Sequence, residues 1–562
     1  MDFRHPFLTE QLIAYIGNKR SLLPFLHRVF SQLAGDRPAA SFLDPFTGSG
    51  SVSRLARLMG FSVSANDWEP YSFLINSCHL AVPAARLPAL FTERGGLGAV
   101  LAELNSLPPP PDSERYIARH YAPRCTQSAD WRTERLFYTT ENALVIDAIR
   151  GRIEQMYPGT PADPRAFDEK MVLLAPLLYE AATHTNTSGV FKACHRGFGG
   201  HGRDALGRIM APIVLRAPVL ADSPHPSRVF REDALSFLSG RGADICYLDP
   251  PYAVHQYGSN YFMLNSIALW DQPPVSEERR EDGRLRQKAG IRTDWVRTRS
   301  AFCYPATAAR ALREVVRAAD CRCLAVSYSN EGLVDLEELC DILSETGELA
   351  MHTTDYVKYP GGKQSLRRKI RNVEMLLVVD RGARTTREGR RRVAAQLADL
   401  RISGLAGRPF HPARIRAAFA GEPHALVLAN PDRAEVRIPM RHLYRFDDPP
   451  AAASALRALA PADRERVTGL LASCEIADNR EEIGVLLGIV RDETDPGQRG
   501  WILNEMLHLL NRFAHRKYRG IFAQTLEELR EFAEGDPALE GFRAGLDRVA
   551  DRAAKRYGGA GK

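Results

Sequence analysis

The strongest constraint on the fold is a short apolar strand that runs directly into a glycine-rich turn. Residues 44–50 read Asp-Pro-Phe-Thr-Gly-Ser-Gly, a helical pattern follows, and a second strand ends at Asp67. Glycines let the backbone of such a turn approach a ligand closely, and the following helix begins with unpaired N–H groups. A strand, turn, helix and strand in this order predict the beginning of an open α/β sheet.

The turn contains several candidate ligand-binding residues. Its spacing is neither the GxGxxG of dinucleotide-binding folds nor that of a phosphate-binding loop with a Lys-Ser/Thr pair. Asp67 follows Gly48 by 19 residues, and an acidic residue about 20 positions on commonly contacts ribose hydroxyls. We predict a site for a nucleoside that carries an amino acid, with an ordinary βα turn as the alternative. The predicted residues are Asp44, Phe46, Gly48, Gly50 and Asp67.

A second motif, Asp249-Pro250-Pro251-Tyr252, follows an apolar strand at residues 245–248. Its two prolines fix the backbone and remove two N–H donors, which leaves a patch rich in acceptors. The Asp249 carboxylate and the Pro250 carbonyl can both accept hydrogen bonds from one NH₂ group, which frees the nitrogen lone pair for attack. The Tyr252 ring offers a flat face for an extrahelical base. We predict that residues 249–252 are catalytic; the alternative is a surface turn.

The order of strand and helix patterns predicts three regions. The α/β alternation of residues 1–80 stops at a helical segment, 81–225, and resumes over residues 226–382. An Arg-rich segment at 385–392 is interpreted as a junction, and composition changes beyond it. We therefore predict one α/β domain that carries a large helical insert, followed by a smaller, mostly helical domain at 383–562.

Three shorter patterns predict single elements. Residues 336–347 are typical of a helix that is stopped by Gly347, and residues 373–380 are typical of a closing strand. Residues 425–440 indicate a β-hairpin.

Composition narrows the class of protein. The net charge of +7 is compatible with a polyanionic partner. No apolar run approaches the ~20 residues of a membrane helix and no secretory signal is visible, so we expect a cytoplasmic protein with no membrane partner. The nine cysteines show no zinc-site spacing, and neither His195 nor His201 has a ligand partner at suitable spacing. We therefore expect no metal.

Four segments carry a family resemblance: AYIGNKRSLLPFL, FLDPFTGSGSVSRLA, VSANDWEPYSFLIN and YLDPPY. They resemble the Dam-like, D12-class adenine-N6 DNA methyltransferases, and the resemblance runs through residues 11–382. It implies a Rossmann-like fold that uses S-adenosylmethionine, with residues 1–80 and 226–382 as the catalytic domain. It also implies that Tyr15 and Lys19 help to hold the methyl donor and that Asp233 contacts the adenine ring of the donor.

Further segments, such as DPPYAVHQYGSNYFMLNSIALWDQP and SAFCYP, resemble a branch that includes modification enzymes of restriction systems. The resemblance implies site-specific methylation of an adenine flipped out of double-stranded DNA, with a restriction nuclease as a possible partner. The motif order then makes the insert at 81–225 the expected DNA-recognition region. Three alternatives stay open: cytosine-N4 methylation, a fusion of methyltransferase and nuclease, and a non-catalytic DNA-binding protein.

One loop of the insert is rich in cations. Within residues 183–203 we predict that Lys192, Arg196 and Arg203 contact DNA phosphates. A solvated flexible loop is the alternative. The family resemblance ends at residue 382, and the role of the segment 383–562 is left open.

Overall fold

The computed structural model describes residues 1–35, 40–199, 204–356, 372–419, 422–428 and 435–558. Within them the chain forms two compact units. The first contains Met1–Asp355 and Val373–Val393, and the second contains the described residues from Ala394 onward. No helix in the described part of the chain is long and apolar enough to cross a lipid bilayer.

The first unit is built around a sheet of seven strands. They are β1 Ser41–Asp44, β2 Ser62–Asn66, β3 Arg228–Phe230, β4 Gly242–Leu248, β5 Asp320–Ser329, β6 Glu348–Tyr356 and β7 Asn372–Asp380. Their order across the sheet is β3-β2-β1-β4-β5-β7-β6. Strands β1 to β5 pair in parallel, and β7 runs antiparallel to β5. This topology confirms the predicted α/β fold.

Helices connect most of these strands. They are α1 Pro6–Thr9, α2 Leu23–Ala34, α3 Ser51–Leu58, α4 Pro70–Asn76, α5 Leu97–Asn105, α6 Ile117–Tyr121, α7 Thr140–Met156, α8 Pro164–Thr183, α9 Ala205–Met210, α10 Ala234–Leu238, α11 Tyr257–Asn260, α12 Phe262–Leu269, α13 Pro305–Ala318, α14 Leu336–Ser344 and α15 Arg387–Ala406. A π-helical turn lies at Ser77–Ala81, and 3₁₀ turns lie at Arg20–Leu22, Ala84–Ala89, Thr92–Arg94, Asp112–Glu114, Thr126–Ser128, Asp294–Thr298 and Ala301–Cys303.

The segment between β2 and β3 is helical, as the sequence predicts. Every residue from 168 to 178 in α8 is buried, because this helix packs against α4, α7 and α12. A helix that is buried on all sides forms the centre of a core rather than a surface layer. The insert therefore shares one apolar core with helices of the α/β domain.

The carboxyl ends of the parallel strands form one edge of the sheet. β1 ends at Asp44, β2 ends just before Asp67 and β4 ends just before Asp249. Because β7 is antiparallel, its beginning lies at the same edge, and Glu374 pairs with Ser329 at the end of β5. Acidic side chains from four strands are thus brought to one edge.

The second unit contains a three-stranded sheet and helices. The strands are β8 Ala425–Leu428, β9 Val436–Arg441 and β10 Arg445–Phe446. The helices are α16 Pro412–Ala418, α17 Pro449–Arg457, α18 Pro461–Ser473, α19 Asn479–Asp492, α20 Pro496–Phe513, α21 Arg519–Ala533 and α22 Glu540–Gly558, with 3₁₀ turns at Arg516–Tyr518 and Pro537–Leu539. β8 and β9 pair antiparallel, which confirms the predicted hairpin, although residues 429–434 lie outside the described part.

Candidate active site

A cavity of about 300 Å³ opens at the carboxyl edge of the seven-stranded sheet. Its lining includes the N-terminal loop at residues 15–19, the glycine-rich turn, the predicted catalytic turn at residues 249–252 (called the catalytic turn below) and residues 297–302. The predicted residues in its lining are Tyr15, Lys19, Asp44, Phe46, Gly48, Asp67, Asp233, Asp249, Pro250, Pro251 and Tyr252. The two sequence motifs therefore meet in one cavity of the first unit, although the insert separates them along the chain.

The glycine-rich turn packs directly against an aromatic ring. Gly48 has a φ of +54°, and a Cβ atom at this position would lie 2.8 Å from Cε1 of Tyr15. The Gly48 carbonyl accepts hydrogen bonds from Ser72 Oγ at 2.7 Å and from Asn76 Nδ2 at 3.1 Å. Both the backbone conformation and the close approach of Tyr15 therefore require glycine here.

Gly50 has a different role from Gly48, because it does not line the cavity. It precedes α3 with a φ of +82°, and a Cβ atom there would lie 2.0 Å from Asn76 Oδ1. Gly50 closes the turn against α4, and its contact with a ligand stays a prediction.

Two buried carboxylates hold the turn in shape. Asp67 accepts hydrogen bonds from the N–H groups of Gly48, at 2.7 Å, and Glu69, at 2.9 Å. Asp44 accepts one from Ser53 Oγ at 2.6 Å. Burial raises the pKa of Asp67 and raises the pKa of Asp44 to about 7. Each Asp67 oxygen can accept a further hydrogen bond, so its contact with ribose hydroxyls stays a prediction.

Three tyrosine rings fix the N-terminal loop. The ring centroid of Tyr15 lies 5.0 Å from that of Tyr261 and 5.2 Å from that of Tyr257. The Tyr261 hydroxyl accepts a 2.8 Å hydrogen bond from the Ile16 N–H, and the Tyr257 hydroxyl donates one of 3.1 Å to the Ile16 carbonyl. These contacts tie the loop to the chain that immediately follows the catalytic turn.

This loop places Lys19 against the catalytic turn. The Lys19 side chain is buried, and its Nζ lies 3.1 Å from Asp249 Oδ1, 3.2 Å from the Tyr252 hydroxyl and 3.7 Å from Glu374 Oε2. Burial opposes its charge, but Asp249 and the other neighbours outweigh that effect, and the pKa of Lys19 lies well above its usual value. The family resemblance assigns Lys19 to the methyl donor; the structure places it beside the Asp249 carboxylate.

Burial raises the pKa of Asp249 to about 6, with Lys19 lowering this pKa and Glu374 raising it. The carboxyl group is therefore mostly ionised at neutral pH, where it can only accept hydrogen bonds. The Tyr252 hydroxyl donates a 3.4 Å hydrogen bond to Glu374 Oε1, and the Tyr252 ring lies 5.5 Å from that of Tyr328. The catalytic turn thus presents the Asp249 carboxylate as an acceptor and the Tyr252 ring, whose hydroxyl is fixed by hydrogen bonds with Lys19 and Glu374.

Sequence reasoning missed several residues of the cavity region. Glu374 is buried at the start of β7, and the signal was an acidic residue directly before the apolar run at residues 375–379. Trp68 lines the cavity while 42% exposed, and Phe302 places its ring 5.3 Å from that of Phe46. Glu69 also lines the cavity and accepts a 2.6 Å hydrogen bond from Asn265.

The remaining predicted residues lie at different places. Asp233 caps α10 by accepting a 2.9 Å hydrogen bond from the Leu235 N–H. Lys192 and Arg196 are exposed in the insert. Arg203 lies outside the described residues.

The sheet order, together with the glycine-rich turn and the Asp-Pro-Pro-Tyr turn at one edge, defines the class of protein as an α/β methyltransferase. The family model for D12 class N6 adenine-specific DNA methyltransferases matches residues 15–279. The chain is 31% identical over 352 residues to the type II methyltransferase M.NlaIII of Neisseria lactamica, covering 93% of that protein and 62% of this chain. The chain belongs to this adenine-specific DNA methyltransferase family.

Other relatives cover the same share of the chain. The type II methyltransferase M.CviAII of Paramecium bursaria Chlorella virus 1 is 28% identical over 348 residues, with 92% of it and 62% of this chain covered. The modification methylase LlaI of Lactococcus lactis subsp. lactis is 26% identical over 367 residues, with 54% of it and 65% of this chain covered. Roughly a third of the chain thus lies outside these matches.

Proposed function

We propose that S-adenosylmethionine is the methyl donor and that it binds in the 300 Å³ cavity. The observation that carries this proposal is the charge of the cavity lining. Seven carboxyl groups line it, from Asp44, Asp67, Glu69, Glu232, Asp233, Asp249 and Glu314, against three cations, Lys19, Arg297 and Arg299. An acidic cavity with aromatic walls suits a ligand that has a nucleoside ring and a positively charged sulfonium.

The lining residues suggest how each part of the donor is held. The rings of Phe46, Trp68 and Phe302 would hold the base, and Asp67 would accept hydrogen bonds from the ribose hydroxyls. Asp233 would meet the adenine edge of the donor, as the family resemblance implies. When bound, S-adenosylmethionine supplies an activated methyl group, and the chain supplies position and electrostatics.

For the acceptor we propose an adenine flipped out of double-stranded DNA, at a cost of a few kcal/mol. The Asp249 carboxylate and the Pro250 carbonyl would accept hydrogen bonds from its amino group, while Pro251 keeps this turn rigid. The Tyr252 ring would pack on the base. Direct transfer then needs no covalent enzyme intermediate, and positioning provides much of the acceleration.

The names of the relatives suggest a biological role. We propose that the chain is the modification enzyme of a restriction–modification system and protects DNA from a nuclease with the same recognition sequence. The nine free cysteines fit a reducing compartment, which we take to be the cytoplasm.

Two measurements test these proposals separately. Calorimetry should show S-adenosylmethionine binding to the wild type and at least tenfold weaker binding to Asp67→Ala, because bonds to a charged acceptor contribute about 1.5–3 kcal/mol each. Equal donor affinities of the wild type and Asp67→Ala would show that Asp67 does not contact the donor. Sequencing of DNA methylated by the enzyme should give one recognition sequence, and that DNA should resist a nuclease encoded beside the gene; scattered methylation would contradict the proposed role.

A further inference from the structure

Four cations surround one tryptophan ring on the insert side of the first unit. The Trp131 ring centroid lies 4.6 Å from the Arg196 guanidinium, 5.1 Å from that of Arg132, and 5.9 Å from both Arg284 and Lys288 Nζ. We propose that these five residues, the Trp131 cluster, bind the phosphate backbone of double-stranded DNA beside the active-site cavity. The inference rests on the proposed action on double-stranded DNA.

The cluster is assembled from three separate segments of the chain, and hydrogen bonds hold these segments together. The Leu285 N–H donates to the Arg132 carbonyl at 3.1 Å. Buried Arg135 donates to the carbonyls of Ser276 and Gln287 at 2.6 and 3.0 Å. The cations therefore stand on a fixed framework.

The loop that carries Arg196 is anchored in the same way. Asn186 is fully buried; its N–H donates to the Phe137 carbonyl at 2.8 Å, and its Nδ2 donates to those of Leu136 and Gly197 at 2.9 and 3.2 Å. A site organised before binding loses less conformational entropy when it takes up its ligand.

The charge of the cluster favours an anionic ligand. Arg132 and Arg284 have carboxylate neighbours in Asp130 and Asp282, at 3.4 and 3.5 Å. Arg196 and Lys288 are exposed, and within the described residues neither has a carboxylate partner. Cations gathered around one ring repel one another, and an anion laid across them relieves that repulsion. Arginine and lysine are the usual partners of DNA phosphates.

The Arg196 loop also contacts residues that lie close in sequence to the cavity lining. The Phe191 N–H donates a 2.7 Å hydrogen bond to the Asn260 carbonyl. A Cβ atom on Gly189 would lie 4.0 Å from Cβ of Ala14, the neighbour of Tyr15 in the cavity lining. Burial raises the pKa of Cys303 to about 11, and Lys192, in the same loop, is close enough to oppose that rise. One loop thus links residues near the cavity lining with the Trp131 cluster, a path that a continuous DNA backbone can follow.

The test uses the full chain and a linear duplex plasmid fragment, with affinity measured between about 50 and 200 mM salt. The double variant Arg196→Gln/Lys288→Gln changes two exposed side chains and leaves the framework intact. We expect weaker binding and a slope of log K against log salt that falls by about 0.9 for each lost phosphate contact. Trp131→Leu should weaken binding with a smaller change in slope, because it disturbs the cations without removing them.

Arg317→Gln is the matched control, since Arg317 is a 64% exposed cation of the same unit that pairs with Glu345. A double variant whose slope equals that of wild type and of Arg317→Gln overturns the inference. Donor binding and methyl transfer by the wild type are scored separately. If the wild type transfers methyl groups but the double variant shows an unchanged salt slope, the DNA contact of the Trp131 cluster is wrong and the proposed function stands. If the wild type transfers no methyl groups but the double variant shows a flattened salt slope, the proposed function is wrong and the DNA contact of the Trp131 cluster stands.

Discussion

At the scale of single residues, the site depends on one buried lysine placed between two carboxylates. Lys19 contacts both Asp249 and Glu374, and little of these side chains is exposed. A buried charge is costly unless it is paired, and removing one partner leaves the others uncompensated. With both carboxylates ionised, the trio has a net charge of −1, which complements a cationic methyl donor. This arrangement also sets the charge state of Asp249.

The pH dependence of the reaction tests this arrangement. Ionised Asp249 can only accept hydrogen bonds, whereas protonation turns one of its oxygens into a donor, so methyl transfer should be lost as the pH falls through the Asp249 pKa of about 6. Lys19→Gln removes the group that lowers this pKa, so the acid limb should move to higher pH. Glu374→Gln removes a group that raises it, so the limb should move to lower pH. Single-turnover rates between about pH 5 and 9 measure both shifts, and shifts in the same direction would contradict the network.

Asp249→Asn should abolish most of the transfer while leaving donor affinity near that of wild type. The amide keeps the shape of the carboxylate but accepts less strongly and adds donors that clash with an amino group. Loss of one preorganised electrostatic contact commonly costs about 10²–10³ in rate. Single-turnover methyl transfer and calorimetry with S-adenosylmethionine measure the two effects. Wild-type turnover in this variant would show that the catalytic turn is wrongly assigned.

Substitutions of Tyr252 separate its ring from its hydroxyl. Tyr252→Phe loses the contacts with Lys19 and Glu374 but keeps the ring. Tyr252→Ala also loses base stacking, which is worth about 1–3 kcal/mol. We therefore expect a moderate loss of transfer rate in the first variant and a larger loss in the second. Equal losses would assign the whole effect to the hydroxyl and exclude stacking.

At the scale of elements, the glycine-rich turn is specified by its contact with Tyr15. Gly48→Ala should weaken donor binding at least tenfold, because the new methyl group meets the Tyr15 ring. Gly60 provides the matched control: it also has a positive φ, of +83°, but among the described residues only Pro224 Cγ, at 3.8 Å, is near its Cβ position. Both variants carry the backbone strain of about 1–2 kcal/mol. Calorimetry should show a donor Kd like that of wild type for Gly60→Ala. Similar donor Kd values for Gly48→Ala and Gly60→Ala would rule out a role for the contact between Gly48 and Tyr15.

Elements with a clear period were predictable from the sequence, and those set by tertiary contacts were not. The strand at 373–380 was found because it contains a continuous apolar run, and the hairpin at 425–440 because turn residues separate two stretches typical of strands. The helix predicted to run to Gly347 ends at Ser344, since Gly347 packs against the Asp380 carbonyl. β6, Glu348–Tyr356, was missed because its polar composition hides an outer strand of the sheet.

The individual motifs of the candidate site were predictable from the sequence, but the contacts between their side chains were not. Asp44, Asp67 and Asp249 lie at or directly after the ends of strand patterns, and the carboxyl ends of parallel strands share one edge of a sheet. Residues 385–392 were interpreted as a junction; they overlap α15, Arg387–Ala406, and the first unit ends directly after them, at Val393. Glu374 was missed because only the antiparallel β7 brings it beside Lys19, and strand direction is not visible in local sequence.

At the scale of the whole molecule, the first unit contains the complete cavity. The part from Ala394 onward is nearly neutral, with 25 Lys and Arg against 24 Asp and Glu, so its overall charge gives no general affinity for DNA. We expect a chain cut after Val393 to fold and to bind the donor with unchanged affinity. Thermal unfolding and calorimetry would show this. A truncated chain that folds and binds the donor but methylates without sequence preference would place recognition in the removed part, not in the insert.

The most direct test of the central claim is to identify the methylated nucleoside. Unmodified duplex DNA is incubated with the full chain and S-adenosylmethionine carrying a labelled methyl group, digested to nucleosides and analysed by mass spectrometry, with Asp249→Asn in parallel. We expect label in N6-methyldeoxyadenosine with wild type and almost none with the variant. Label in N4-methyldeoxycytidine, or equal label with both proteins, would contradict the account.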